Sequence, residues 1–267
     1  MRDRVEGLSN IKILNKLVAI LDCFTPDRSG WTLADLSAHL GLPKSSLHRL
    51  LVALEQHGIL IRGSEDALWR LGYRLFVWGN LVPQITSLQH IARPIVRWLS
   101  DTTDETVLLT VYDRMRVICI DKVESSHAVR LTLDIGARRH AHAGASSKIL
   151  MAYLPREEIQ AILRERGLPK LSAATITDPA KLTDELEKIR RNGFALSYEE
   201  TDIGAWGVAT PIFDGKGGVT AAIGVAGPTT RYTEEAARRY VDLCRRAAAR
   251  ITELLSGAKP SDRRNHG

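Results

Sequence analysis

The chain has 267 residues, 44% of them hydrophobic and 25% charged, with a net charge of +6 and a pI near 9.3. This is the composition of a soluble globular protein of about two domains. No apolar run reads as a membrane span or secretory signal, because Met1–Asn10 is charged and Ile13–Leu21 is interrupted by Asn15 and Lys16, so the cytoplasm is the expected location.

Cys23, Cys119 and Cys244 are odd in number and widely spaced, which suggests neither a disulfide framework nor a CxxC-type metal site and reads as three small buried hydrophobes. The positive charge favours an anionic partner only weakly, since residues 1–93 hold eleven Lys and Arg against eight Asp and Glu. Local cations matter more than the total.

Residues 31–60, WTLADLSAHLGLPKSSLHRLLVALEQHGIL, have the pattern of two amphipathic helices around a tight turn. In the first, Leu33, Leu36 and Leu40 face inward, Thr32 is the N-cap with Asp35 as a weak capping-box partner, and Gly41 is a left-handed C-cap. Pro43 suits the opening of the second helix, where Leu47, Leu50, Leu51 and Leu54 form an apolar stripe. Lys44, Ser45, Ser46, His48 and Arg49 then lie at the N-terminal end of the helix and are the candidates for contact with a DNA major groove. Arg49 has the planar fork that bonds guanine, while Lys44 suits phosphate. The alternative is an ordinary helical hairpin with a solvated polar face.

Ile59–Arg62 and Leu68–Gly72, around Gly63-Ser64-Glu65-Asp66, predict a β-hairpin directly after that helix, in the position of a wing. Arg62 and Arg70 flank its tip and are candidates for phosphate contact, whereas Glu65 and Asp66 would be repelled. The base of the wing is thus expected to meet DNA more than its apex.

Tyr73–Val82 predicts a linker helix that Pro83 interrupts, and a further helical stretch covers Ser87–Ser100 with Pro94 inside it. Tyr73, Phe76 and Trp78 would pack on the wing or a partner subunit, or be buried within the same chain. Next, Thr106–Tyr112, Val117–Val123 and Val129–Ile135 predict an antiparallel meander. Helices are expected near Ser146–Tyr153, Arg156–Glu165 and Pro179–Asn192. Strands follow at Ala195–Tyr198, Trp206–Phe213 and Val219–Ala226, with Asp214–Gly218 as a hairpin turn, and a helix over Thr233–Leu255 closes the pattern.

GLPKSSLHRLLVALEQHGIL followed by WRLGYRLFVWG resembles the N-terminal winged helix of the IclR family of bacterial transcription regulators. The resemblance continues in HAGASSKILMAYLP at 142–155, GFALSYEETDIGAWGVATPIFD at 193–214 and GGVTAAIGVAGP at 217–228, and spans about nine-tenths of the chain. It implies an α+β protein: a winged helix-turn-helix DNA-binding domain over 8–72, a linker helix over 73–92, and a GAF-like effector-binding domain with a curved antiparallel sheet over 93–257. A disordered basic tail over 258–267 completes this division.

The resemblance also implies an effector pocket at Leu131, Ala145, Ser146, Ser197, Ala205, Gly207, Gly224 and Ala226. Glycine and alanine at these positions remove side-chain volume, while Ser146, Ser197 and backbone N–H groups at a helix start suit a carboxylate. A carboxylic acid with an aromatic or otherwise bulky body is expected. The alternative is that these small residues only relieve strand crowding. The implied partners are double-stranded operator DNA, a small-molecule effector and a second copy in a homodimer, with a dimer of dimers as the larger assembly.

Other constellations are weaker. Arg138, Arg139, His140 and His142 lack a third metal ligand and read as a solvated strand end. Glu199, Glu200 and Asp202 read as a charged loop over the pocket, and Gly215-Lys216-Gly217-Gly218 lacks the spacing of a phosphate loop. No catalytic residue, metal or cofactor is expected. The competing readings are an enzyme with a winged-helix docking module, for which Cys119 would be the nearest nucleophile, and an architectural DNA binder that senses nothing.

Overall fold

The computed structural model describes residues 12–25 and 27–257, which fall into two compact units that divide between Thr86 and Ser87. Positions 8–11 of the expected first domain and the expected tail 258–267 lie outside the described residues.

In the first unit, α1 (Lys12–Leu21), α2 (Leu33–Leu40) and α3 (Lys44–Gln56) precede the antiparallel hairpin of β1 (Leu60–Arg62) and β2 (Trp69–Leu71), and α4 (Tyr73–Asn80) follows. Thr32 starts α2 by accepting the Asp35 N–H at 3.1 Å, and Gly41 ends it at φ +64°. Asp35 does not complete a capping box, because its carboxylate turns to Arg28 at 3.3 Å. Leu36, Leu47, Leu51, Leu54 and Leu60 are buried with Ile20, Trp31 and Trp69. Each such side chain contributes about 1.5 to 3 kcal/mol of transfer free energy, enough to hold short helices that would melt alone. Trp31 also exchanges both backbone hydrogen bonds with Trp69, at 3.0 and 2.8 Å, which fixes the start of α2 to the hairpin.

The span 73–92 assigned to the linker is not one helix but parts of two, α4 and α5 (Pro83–Thr103), separated at Leu81–Val82, next to the interruption expected at Pro83. Proline without an N–H fits the first turn of a helix and resists continuation of the previous one, so Pro83 opens α5. Tyr73, Phe76 and Trp78 are not buried within the chain but exposed, at 82%, 72% and 45%.

The second unit contains one six-stranded antiparallel sheet in the order β5-β4-β3-β8-β7-β6. The strands are β3 (Thr106–Asp113), β4 (Arg116–Val123), β5 (Arg138–His140), β6 (Ala195–Tyr198), β7 (Ala205–Phe213) and β8 (Val219–Pro228). The central β3–β8 pair joins two meanders. On one side of the sheet lie α6 (Ala145–Ala152), α7 (Arg156–Arg166) and α8 (Pro179–Asn192), around a core containing Ile149, Met151, Leu182, Leu186 and Ala209. Against the other side lies α9 (Glu234–Leu255), whose Tyr240 stacks on Trp206 of β7 at 5.6 Å.

Val129–Ile135 is not a strand. Its β-branched side chains do not alternate in burial, Val129 being 68% and Ile135 54% exposed, and the segment runs as an irregular arm. The third strand of the first meander is β5, entered through Gly136 at φ +87°, whose N–H bonds Cys119 O at 2.7 Å. A left-handed glycine turns the chain there at no steric cost.

Candidate nucleic-acid interface and ligand cavity

Burial of Leu47, Leu51 and Leu54 leaves the start of α3 open to solvent. Lys44, Ser45, Ser46, His48 and Arg49 are all exposed, and no side chain of the described residues binds Lys44 or Arg49. These free donors on a helix face meet the requirement for reading a groove. On the wing, Arg62 is exposed, with its guanidinium carbon 5.5 Å from the Trp69 ring centroid.

Arg70 is less available than the sequence suggests. It forms a two-pronged pair with Asp66, one bond being 3.1 Å from Nη1 to Oδ1, and the pair holds the Asp66 carboxyl well down, at about 2. The acid expected to repel phosphate thus neutralises its own neighbour on the hairpin.

In the second unit the strand register places small side chains in rows. Thr106 pairs with Ala226, Ala226 with Gly207 and Gly207 with Ser197; in the next row Leu108 pairs with Gly224, Gly224 with Ala209 and Ala209 with Ala195. Paired residues project to the same side, so the sheet carries a shallow floor of glycine, alanine and hydroxyl groups. The start of α6 and the arm 130–133 complete a cavity of about 310 Å³ over it. All eight residues named from the sequence, Leu131, Ala145, Ser146, Ser197, Ala205, Gly207, Gly224 and Ala226, line this one cavity.

Two of the glycines have a further steric cause. A Cβ on Gly207 would lie 2.9 Å from Val225 O, and one on Gly224 would lie 2.7 Å from Val208 O and 2.9 Å from Ser146 Oγ. Close approach of β7, β8 and α6 requires glycine there, whatever the cavity holds.

Polar groups converge on one end. Gly144 precedes α6 at φ +89° and offers no side-chain cap, and the N–H groups of Ala145, Ser146 and Ser147 have no hydrogen-bond partner among the described residues. The Ser146 and Ser197 hydroxyls are likewise unpartnered there. Such a helix start presents donors and a partial positive charge to an anion. Arg139 and Asp202, 3.7 Å apart, stand at the rim with Arg130.

Sequence reasoning missed Thr106, Leu108, Arg130, Thr132, Leu133, Arg139 and Thr201 of the lining, while Asp202 does stand over the pocket as expected of its charged loop. Alternation along β3 carries a signal for Thr106 and Leu108. The residues of the irregular arm and the rim have no periodic signal at all.

Within the charged loop over the pocket, Glu200 turns inward. It is buried, receives Lys148 Nζ at 2.5 Å, and through its other oxygen accepts the Gly144 N–H at 3.1 Å. Lys148 also donates to Glu185 and to Leu196 O, each at 2.9 Å. The histidine run is not a solvated strand end: His142 is buried with Nε2 3.1 Å from Pro169 O, and His140 Nδ1 lies 2.9 Å from Arg116. Burial lowers the pKa of both rings. Among the described residues no group of three or more His, Cys, Asp or Glu is placed to hold a metal. Cys119 is buried and its thiol is pushed up to about 11 by desolvation, the opposite of an activated nucleophile. Among the described residues no helix is long and apolar enough to cross a membrane.

Comparison with known proteins agrees with this arrangement. Residues 14–62 match the IclR helix-turn-helix domain, and residues 82–253 match the bacterial transcriptional regulator IclR C-terminal domain. The chain is 34% identical over 244 residues to the HTH-type transcriptional regulator KipR of Bacillus subtilis, covering 91% of this chain and 97% of that protein. It is 29% identical over 251 residues to the transcriptional repressor IclR of Escherichia coli, covering 93% and 92%. An IclR homologue of Microbacterium hydrocarbonoxydans, solved in complex with 4-hydroxybenzoate, has a similar fold with a TM-score of 0.82 at 28% identity, covering 92% of this chain and 100% of that one. For the IclR of Thermotoga maritima the TM-score is 0.72 at 29% identity, with the same coverage. KipR and the Escherichia coli IclR regulate transcription, which removes the enzyme reading of the second unit. The chain belongs to the IclR family of bacterial transcription regulators.

Proposed function

We propose that this regulator binds operator DNA through Lys44, Ser45, Ser46, His48 and Arg49 of α3, with Arg62 of the wing and a partly neutralised Arg70 on phosphates. A small organic acid in the cavity of the second unit tunes that binding, and the genes controlled are those of a catabolic or metabolic operon. The observation that carries the effector reading is the meeting of unpaired N–H groups at Ala145–Ser147 with the floor at Gly207 and Ala226. The first suits a carboxylate, and the second leaves room for a flat or bulky body.

An aromatic acid is the favoured class, supported by the 4-hydroxybenzoate bound to the Microbacterium homologue. The exposed Tyr73, Phe76 and Trp78 favour a protein that pairs with a second copy. A two-fold dimer supplies two recognition helices for a pseudo-palindromic site, and a dimer of dimers repeats the arrangement. The expected place of action is the cytoplasm, with the DNA.

A gel-shift titration against the DNA flanking the protein's own gene, repeated with a panel of carboxylic and aromatic acids, tests this reading. Sequence-dependent binding altered by one acid supports it. Salt-sensitive binding to any DNA, indifferent to every acid, reduces the protein to a generic DNA binder.

A further inference from the structure

The arm 124–137 supplies Arg130–Leu133 to the cavity wall yet contains no helix or strand. Its place depends on individual polar bonds. Thr106 Oγ1 donates to Leu131 O at 2.6 Å from the sheet side. From the turn Thr229–Arg231, which leads into α9, Arg231 reaches in two directions. Its Nε and Nη2 bond the two oxygens of Glu105 at 2.6 and 2.7 Å, and its Nη1 bonds Val129 O at 3.0 Å.

Glu105 is the fixed end of this contact. Its side chain is 2% exposed, and the glycine at 227 leaves it room, since a Cβ there would lie 2.8 Å from the carboxyl group. Its own carbonyl accepts the Ser100 hydroxyl at 2.9 Å, which ties it to the last turns of α5. A rigid guanidinium fork that spends two donors on a buried carboxylate and a third on the arm holds both in one geometry.

We propose that Arg231 is a positioning residue that clamps the arm over the cavity and links it, through Glu105, to the C-terminal end of α5. This rests on the reading of the cavity as the ligand site. A ligand that favours the clamped arm then biases α5, and a molecule that pushes the arm away biases it in the opposite sense. Nearer β4 the arm is also tied to Asp104, just past α5, by Ser125 Oγ at 2.7 Å, Ser126 Oγ at 2.8 Å and His127 Nε2 at 3.1 Å, and the fork adds the link at Val129, next to the cavity wall.

Limited trypsin digestion of the full chain, followed by mass spectrometry, reads the clamp without any ligand, because Arg130 on the arm is exposed. In Arg231→Gln, cleavage after Arg130 is expected to accelerate about tenfold relative to cleavage after Arg62 in the wing. Arg231→Lys keeps a charge opposite Glu105 and so keeps the fold, but it lacks the fork and should also lose protection of the arm. Unchanged cleavage after Arg130 in both variants overturns the proposal. With 4-hydroxybenzoate as the probe, the wild-type shift in DNA affinity should fall at least about fivefold in Arg231→Lys, a readout that a merely structural role leaves alone. An equal shift in the variant overturns the coupling, whereas a wild type that answers no acid while the arm is still released by the substitutions removes the ligand reading and leaves the clamp standing.

Discussion

Lys148 Nζ lies 2.5 Å from Glu200 Oε1, and the other oxygen of Glu200 accepts the Gly144 N–H, so one buried ion pair fixes the start of α6 against the loop that rims the cavity. The lysine side chain is 1% exposed. Charges so deep persist only when paired and hydrogen-bonded, and Lys148 has all three donors engaged.

Lys148→Met therefore leaves Glu200 buried without its cation. The second unit is expected to lose about 3 to 5 kcal/mol of stability, measured by urea unfolding. Adding Glu200→Leu should recover part of the loss, because an apolar pair costs less than a lone buried carboxylate.

Arg49→Ala should weaken operator binding by about 1 to 3 kcal/mol and relax sequence preference at one base position, with melting unchanged because the side chain is exposed. Binding curves against single-base operator variants check both parts. Retained affinity and preference would remove Arg49 from the interface.

At the wing, Asp66→Asn frees the Arg70 guanidinium from its acid. DNA binding should tighten, and the slope of log affinity against log salt should steepen by about one unit. In the wild type the pair also confers a pH dependence. Because the Asp66 carboxyl is depressed to about 2, the contribution of the pair is complete above its unfolded value of 3.8 and is lost as pH falls toward 2.

His142 and His140 work in the same direction at milder pH. Burial lowers both rings below the ordinary 6.5, so the unfolded chain takes up protons more readily than the folded one. Stability of the second unit should be greatest above that value and decline as pH falls through it. Urea midpoints between about pH 7.5 and 5.5 should show this slope, and His142→Phe should flatten it.

Much of the architecture is legible in the chain because it is local. Thr32 and Gly41 bound α2 through their own backbone chemistry, and the leucine spacing of α3 fixes which face is free. The eight cavity positions are reachable through family resemblance, and the pairing of Thr106, Ala226, Gly207 and Ser197 sets three of them in one row of the floor. What local pattern cannot carry is pairing across the fold. Lys148 meets Glu200 over a separation of 52 residues, and Arg231 meets Glu105 over 126. Val129–Ile135 misleads for a related reason: β-branched composition suits a strand, but the segment joins neither sheet and is held to β3 through the Thr106 side chain. Gly207 and Gly224 combine both roles, since the strands need them close and the cavity needs them small.

Fluorescence anisotropy of labelled operator with and without the acid, in wild type and Ala226→Leu, tests whether an acid bound in this cavity changes DNA affinity. Ala226 already carries its Cβ in the cavity lining, whereas any side chain at Gly207 meets Val225 O. The acid should shift wild-type affinity by about 5- to 150-fold, while the variant keeps wild-type affinity for DNA and loses the shift. An equal shift in both proteins would place the effector outside this cavity.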